Sequence, residues 1–141
     1  LVFNTSTGKA NFITNELESK RADDGGFVMM TIRSHDQYNT TIYGNDDRYR
    51  GISGGRRMLM MNRCDMDENG WNEFQKVSIT SHFNGKDRFS DGWFIVEYDI
   101  PPGNVATYFP ESNVLIPLDS VADGSNTPTS KSVSVTISAT S

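Results

Sequence analysis

The sequence predicts an all-β domain with a minor helix, closed into a barrel. Glycine, asparagine, serine and threonine interrupt the chain about every ten residues, a spacing that favours many short strands over long helices. Val133, Val135 and Ile137 alternate with polar residues at the period of a half-buried strand. Asn84-Gly85 is the strongest hairpin signal in the chain. A barrel is preferred over an open sheet because closure leaves no unpaired edge.

Strand signals occur in six segments, which are, in chain order, Phe27–Arg33, Arg57–Met61, Phe74–His82, Trp93–Asp99, Val105–Phe109 and Lys131–Ile137. The clearest helix signal covers Arg63–Glu68, where Asn62 is a suitable N-cap and Gly70 a suitable end. A second short helix is expected around Glu111–Leu115. We find no internal repeat and no second domain, so residues 1–141 are expected to form one domain.

Composition excludes several classes of protein. The single cysteine, Cys64, cannot form an intramolecular disulfide or supply a cysteine-built metal site within the chain. The formal net charge of −5 argues against nucleic-acid or membrane-surface binding through bulk charge. No apolar run approaches the ~18–20 residues that a membrane helix needs. The N-terminus shows no signal-peptide pattern and lacks a methionine, so a cytoplasmic location and an excised or processed segment are expected.

Two features near the predicted helix have simple interpretations. Asp65–Gly70 reads D-M-D-E-N-G and matches the opening of a calcium loop, but Lys76 stands where the twelfth-position glutamate belongs. An acidic helix start followed by a glycine cap is therefore the preferred interpretation. Cys64 lacks any nucleophile signature and is expected to be a buried or half-buried structural thiol. The pattern predicts no catalytic residue and no metal ligand.

Polar and basic side chains concentrate in the predicted loops, where binding residues on a rigid β scaffold tend to lie. Arginine, lysine and amide groups suit a ligand with phosphates and a heteroaromatic ring, although the same groups are equally compatible with a solvated surface. One alternative is a stand-alone barrel that binds a carbohydrate or a protein partner. A barrel enzyme similar to aspartate decarboxylase is a weaker alternative, because Ile52-Ser53-Gly54 has the wrong order for self-processing.

Residues 32–44 (I-R-S-H-D-Q-Y-N-T-T-I-Y-G) resemble the strand and loop that begin the C-terminal domain of molybdopterin-dinucleotide-dependent oxidoreductases. Asp46–Ile52 (D-D-R-Y-R-G-I) resembles the piece that follows in formate-dehydrogenase-like alpha subunits. Phe3–Phe12, Tyr108–Leu115 and Asn126–Val135 resemble further pieces of the same domain in the same order. The resemblance therefore covers nearly the whole chain.

This resemblance implies a double-psi β-barrel, of the aspartate-decarboxylase-like kind, that packs on a molybdopterin guanine dinucleotide whose molybdenum or tungsten is held by the parent enzyme. It implies that residues 1–141 are one domain of a larger formate-dehydrogenase-like oxidoreductase, not catalytic alone, with the other domains as partners and with no nucleic acid or membrane insertion. The residues that it places beside the cofactor, all expected at one mouth of the barrel, are Arg33, Gln37, Tyr38, Asn39, Thr40, Asn113 and Lys131.

Overall fold

A computed structural model describes residues 2–16, 22, 25–38 and 44–140 of the chain. Six strands close into one barrel, and an α-helix and a short 3-10 helix pack around it. The strands are β1 Phe27–Ile32, β2 Met58–Met61, β3 Lys76–Phe83, β4 Lys86–Glu97, β5 Asn104–Tyr108 and β6 Val133–Ala139. The helix α1 spans Arg63–Asn69 and the 3-10 helix spans Glu111–Leu115. The mostly-β fold class, the closed barrel and the small helix are confirmed.

The fourth strand is longer than predicted. It begins at Lys86, whereas the sequence pattern placed its start at Trp93. Its first half is mostly polar, and its one large apolar side chain, Phe89, is exposed. Gly92 adopts a φ of 72° next to a register shift in the β3–β4 pairing, so the alternation that marks a half-buried strand is lost there. The predicted hairpin at Asn84-Gly85 is confirmed, since Phe83 pairs with Lys86 across it.

The strand order around the barrel is β1-β5-β2-β4-β3-β6. The β1–β5 and β2–β4 pairs are parallel, and the other four pairs are antiparallel. If β1 is exchanged with β4, β2 with β5 and β3 with β6, each parallel strand pair becomes a parallel pair and each antiparallel pair becomes an antiparallel pair. Because β5 is parallel to β1 and antiparallel to β2, and β2 is parallel to β4, β1 and β4 run in opposite directions and finish at opposite ends of the barrel. We call the end where β1 and β5 finish and β6 begins the mouth.

The strand β2 explains how the core is divided. All four of its residues are buried, because both faces of the strand meet apolar side chains. Leu59 and Met61 point into the barrel interior, whereas Met58 and Met60 belong to an outer cluster together with Ile52. The loop that carries Ile52 therefore packs on the outside of the barrel. Each fully buried side chain of this size contributes on the order of 1.5–3 kcal/mol to folding.

The helix α1 begins and ends as its sequence predicts. The Asn62 side chain accepts a hydrogen bond from the Cys64 N–H at 2.8 Å, and Gly70 closes the helix in the left-handed region with a φ of 67°. This confirms the helix start and glycine cap preferred over a calcium loop. Among the described residues, no helix combines the length and the apolarity needed to cross a membrane.

The expectation that Cys64 is buried is wrong, because its side chain is exposed. Asp65 and Met66 occupy the face of α1 that turns to the barrel, which leaves the first-turn thiol on the outer side. The buried Asp65 carboxylate accepts the Gly103 N–H at 2.9 and 3.1 Å. Its role is to fasten α1 to the turn before β5.

Candidate anion-binding site at the barrel mouth

The mouth brings together the end of β1 and the approach to β6. Arg33 directly follows β1, and Lys131 lies two residues before β6. Because β6 is antiparallel to β1, with Met29 opposite Val133, the residues before β6 lie beside the last residues of β1. The Thr31 N–H donates to the Ser130 carbonyl at 2.9 Å and extends this pairing to the mouth. Two cations from distant parts of the sequence thus become neighbours.

An open cavity of about 540 Å³ lies at this position. Its lining residues are Thr31, Ile32, Arg33, Phe109, Ser130 and Lys131. The Lys131 ammonium donates to the Thr31 carbonyl oxygen and lies 3.4 Å from the Thr31 hydroxyl. These contacts fix the amine at the edge of the cavity while leaving its third N–H for a ligand.

A second cavity, of about 240 Å³, shares Lys131 with the first. It follows the outer face of β1, and its other lining residues are Val28, Met30, Ile100, Pro101 and Asn104. This lining is largely apolar, whereas Arg33 lends a positive charge to the larger cavity. Lys131 therefore stands between a cationic space and an apolar one.

Within the described part of the chain, neither Arg33 nor Lys131 forms an ion pair with a carboxylate. Burial and the nearby Arg33 charge lower the pKa of Lys131, because both disfavour the ammonium form. A bound anion would relieve this repulsion and would receive charge-assisted hydrogen bonds. We call these two residues the Arg33–Lys131 pair; their arrangement is suited to a phosphate or another multivalent anion.

A buried arginine organises the loops around the cavity. Arg56 is 6% exposed, and its Nε donates to Glu111 Oε1 at 2.7 Å. One terminal nitrogen donates to the Ser34 hydroxyl at 2.5 Å, and the other donates to the Phe109 carbonyl at 2.7 Å and to Gln37 Oε1 at 3.0 Å. We call these five residues the Arg56 cluster. It ties together the segment after β1, the end of β5 and the 3-10 helix.

A second buried group anchors the loop that packs on the outside of the barrel. Asp47 is 1% exposed, and its Oδ2 accepts hydrogen bonds from Arg50 at 2.5 Å and from the Tyr108 hydroxyl at 2.9 Å. Burial alone would raise the pKa of Asp47, but the two hydrogen bonds and the Arg50 charge outweigh it and lower the pKa. Arg50 also donates to the Arg33 carbonyl at 3.3 Å, which links this loop to the mouth.

Gln37, predicted from the resemblance as a cofactor contact, is buried beside the mouth. Its Oε1 accepts from Arg56 at 3.0 Å and from the Ser34 N–H at 3.3 Å. This oxygen therefore serves the Arg56 cluster, so the structure places Gln37 behind the lining of the cavity.

The remaining predicted site residues lie around the mouth or outside the described residues. Tyr38 is 76% exposed, and Asn113 is exposed in the 3-10 helix that Glu111 begins. Neither side chain lines the 540 Å³ cavity. Asn39 and Thr40 fall outside the described residues. Of the predicted set, Arg33 and Lys131 are the two that the described structure brings together around one space.

Arg56 was not predicted, although the sequence carried a signal for it. Arg56, Met58 and Met60 occupy alternate positions, so a strand places all three on one face. Met58 and Met60 point into the outer apolar cluster, and Arg56 continues that buried row at the edge of the strand. Arg57, the next residue, falls on the opposite face of the strand and is exposed. The face of the strand, rather than the residue type, therefore distinguishes the two neighbouring arginines.

Comparison with known proteins agrees with the interpretation drawn from residues 32–52. An "uncharacterized oxidoreductase" of Mycobacterium bovis and one of Mycobacterium tuberculosis are each 46% identical over 143 residues, covering 98% of this chain and 18% of the relative. Protein YdeP of Escherichia coli K12 is 41% identical over 139 residues, covering 93% of this chain and 18% of the relative. The chain thus spans a small part of the length of these relatives. Residues 27–134 match the Molydopterin dinucleotide binding domain, and the chain belongs to that family.

Proposed function

We propose that the mouth of the barrel binds the phosphates of a molybdopterin guanine dinucleotide. The observation that carries the proposal is the Arg33–Lys131 pair, which borders one cavity of about 540 Å³ and has no described carboxylate as an ion-pair partner. A pyrophosphate linkage offers several anionic oxygens to such a pair. The guanidinium can bind two oxygens through its planar fork, and the ammonium acts as a compact point charge.

The chain would then be the cofactor-binding domain of a larger molybdenum- or tungsten-dependent oxidoreductase resembling formate dehydrogenase. The cofactor supplies the redox chemistry when bound, and the protein supplies binding and orientation. Here Lys131, held by the Thr31 carbonyl and hydroxyl, directs its remaining N–H to the ligand. Phe109 and Ser130 complete the wall of the cavity. The lowered pKa of Lys131 would rise again on anion binding, so binding couples to proton uptake.

The other predicted residues have different roles in this proposal, as a positioning residue or as contacts for other parts of the cofactor. Gln37 acts as a positioning residue, because its amide oxygen holds Arg56 and the Ser34 backbone. The exposed Tyr38 and Asn113 are proposed contacts for parts of the cofactor that extend beyond the phosphates. Asn39 and Thr40 keep the pterin-edge contacts that the family resemblance implies. The cytoplasmic location remains part of the same proposal.

We also propose that the barrel is of the double-psi type. β1 and β2 follow each other in the sequence, yet β5 lies between them in the sheet. β4 and β5 likewise follow each other with β2 between them. The exchange of strands described above converts the β1–β2 connection into the β4–β5 connection. This equivalence supports two matching psi loops.

The test is a calorimetric titration of the 141-residue chain with guanosine diphosphate, which carries the guanine end and two phosphates of the proposed ligand. Arg33→Met and Lys131→Met are each expected to lose about 1.5–3 kcal/mol of binding free energy, the contribution of a hydrogen bond to a charged group. That loss is roughly a tenfold to hundredfold rise in Kd. Thermal unfolding of each variant verifies that the barrel is folded.

Three controls make the titration specific. Lys76→Met removes an exposed lysine that does not line the cavity and should bind as the parent chain does. Guanosine lacks the phosphates and should not bind measurably. Cytidine diphosphate tests whether guanine itself is recognised. If both Arg33→Met and Lys131→Met bind guanosine diphosphate as tightly as the parent chain, the proposed site is wrong.

A further inference from the structure

We propose that Lys131 is an acylation site and that its acyl donor is an acyl phosphate. The argument begins with the two cavities that share this residue. On one side Arg33 lines a cationic space of about 540 Å³, and on the other Val28, Met30 and Ile100 line a largely apolar space of about 240 Å³. An acyl phosphate has the matching polarity, with a dianionic phosphate at one end and an apolar acyl group at the other. Its reacting carbonyl carbon would lie between them, beside the amine.

The amine is also oriented for attack. Its N–H groups contact the Thr31 carbonyl and approach the Thr31 hydroxyl, so the lone pair of the neutral amine is directed away from β1. Burial and the Arg33 charge lower the pKa of Lys131, so more of the nucleophilic neutral form is present than for an ordinary lysine. Lys131 is nevertheless exposed, so the donor can reach it.

The reaction is a simple acyl transfer. The Lys131 nitrogen attacks the carbonyl carbon of the acyl phosphate, and a C–N bond forms as the C–O bond to phosphate breaks. The leaving phosphate takes the electron pair of that bond and the proton released by the amine, so the products are an amide and hydrogen phosphate. Arg33 stabilises the charge of the departing phosphate. No oxidant or reductant is involved.

The other lysines provide an internal comparison. Lys86 lies 3.7 Å from the Asp119 carboxylate, so its amine is engaged in an ion pair that Lys131 lacks among the described residues. Lys9 and Lys76 are exposed and line neither cavity. Lys20 lies outside the described residues. Lys131 is therefore expected to react fastest of the four described lysines.

Acylation would have a consequence for the mouth. An amide carries no positive charge, so the modification would remove one member of the Arg33–Lys131 pair and weaken anion binding. This consequence rests on the proposed function, whereas the acylation itself does not. An acyl phosphate formed elsewhere in metabolism could in this way reduce cofactor loading.

The experiment exposes the 141-residue chain to acetyl phosphate and follows acetylation of each lysine by peptide mass spectrometry. Lys131 is expected to acetylate faster than Lys76, and Arg33→Met is expected to slow Lys131 while leaving Lys76 unchanged. Arg33→Lys, which keeps the charge, should retain most of the preference. N-acetoxysuccinimide, a donor without phosphate, should show a smaller preference for Lys131.

Two outcomes would overturn the proposal. One is acetylation of Lys131 at or below the rate of Lys76. The other is an Arg33→Met variant, folded by its thermal transition, that retains the full preference with acetyl phosphate. Protection of Lys131 from acetylation by guanosine diphosphate would support both proposals. Failure of guanosine diphosphate to bind, with fast acetylation retained, would reject the cofactor site alone.

Discussion

The Arg56 cluster and the Arg33–Lys131 pair lie around the same mouth but use positive charge in opposite ways. The Arg56 guanidinium is buried and donates to a carboxylate, a hydroxyl, an amide oxygen and a backbone carbonyl. Arg33 and Lys131 are more exposed, and their charges meet each other rather than a carboxylate. The comparison distinguishes positive charge that stabilises the fold from positive charge that remains available to a ligand. Exposure alone does not identify the second kind, because Arg57 is also exposed although it donates to the Asp91 carbonyl.

The largest effect on stability is expected for Arg56→Met. The substitution removes four hydrogen bonds and leaves the Glu111 carboxylate, whose side chain is 19% exposed, without its ion-pair partner. We expect the free energy of unfolding to fall by about 3–5 kcal/mol, as when a buried pair loses one member. Urea denaturation measures the change. Arg57→Met is the matched control, and its loss should stay below about 1 kcal/mol; an equal loss for both variants would contradict the assignment.

A smaller effect is expected for Tyr108→Phe. This substitution removes the hydroxyl that donates to Asp47 at 2.9 Å, and the loss should be about 1.5–3 kcal/mol because the acceptor is charged. Tyr49→Phe, at a tyrosine that is 76% exposed, should change stability little. Urea denaturation at neutral pH compares the two variants. A loss in Tyr108→Phe no larger than in Tyr49→Phe would show that the Asp47 contact does not stabilise the fold.

The same pair of variants has a signature in acid. The pKa of Asp47 is lowered in the fold below its ordinary value of 3.8, so its stabilising effect is complete above that pH and is lost as the pH falls through the folded pKa. Tyr108→Phe removes one cause of the lowering. The variant should therefore show a weaker dependence of stability on pH below 3.8 than the parent chain.

The smallest effect is expected for Lys131→Met. Removing a cation that repels Arg33 should change the free energy of unfolding by less than about 0.5 kcal/mol at neutral pH. Because the folded pKa of Lys131 lies below 10.5, the unfolded chain binds more protons between these values, and the parent chain gains stability as the pH rises through that window. The variant should lack this gain in a urea titration. A large loss of stability in Lys131→Met would instead show that Lys131, like Arg56, stabilises the fold.

Much of the fold could be predicted because local patterns agreed with the tertiary structure. β6 shows clear alternation, and α1 carries both its caps in the sequence. The first half of β4 was missed because its exposed polar residues and the turn-forming Gly92 hide the alternation. Strand detection thus succeeded where buried positions carry apolar side chains and failed where the buried position, Ser90, is polar.

The site was less predictable, since it depends on contacts between distant residues. No local pattern joins Arg33 to Lys131; the family resemblance suggested both, and the antiparallel β1–β6 pairing brings them together. The cofactor contact of Gln37 stays a prediction, and its residue type could not reveal that a buried arginine donates to its amide oxygen. Arg56 required knowledge of which strand face is covered, and that cover comes from Ile52 in a separate loop.

Because β1 and β4 run in opposite directions, the residues that end them lie at opposite ends of the barrel. The mouth carries Arg33 and Lys131, while Glu97 ends β4 at the far end of the barrel. β2 finishes at that far end too, and the acidic helix α1 follows it. Under the proposed function, the mouth would offer two cations to an approaching polyphosphate although the chain has a formal net charge of −5. The attraction of the Arg33–Lys131 pair would speed the encounter with such an anion, and added salt would slow capture more than it weakens the bound state.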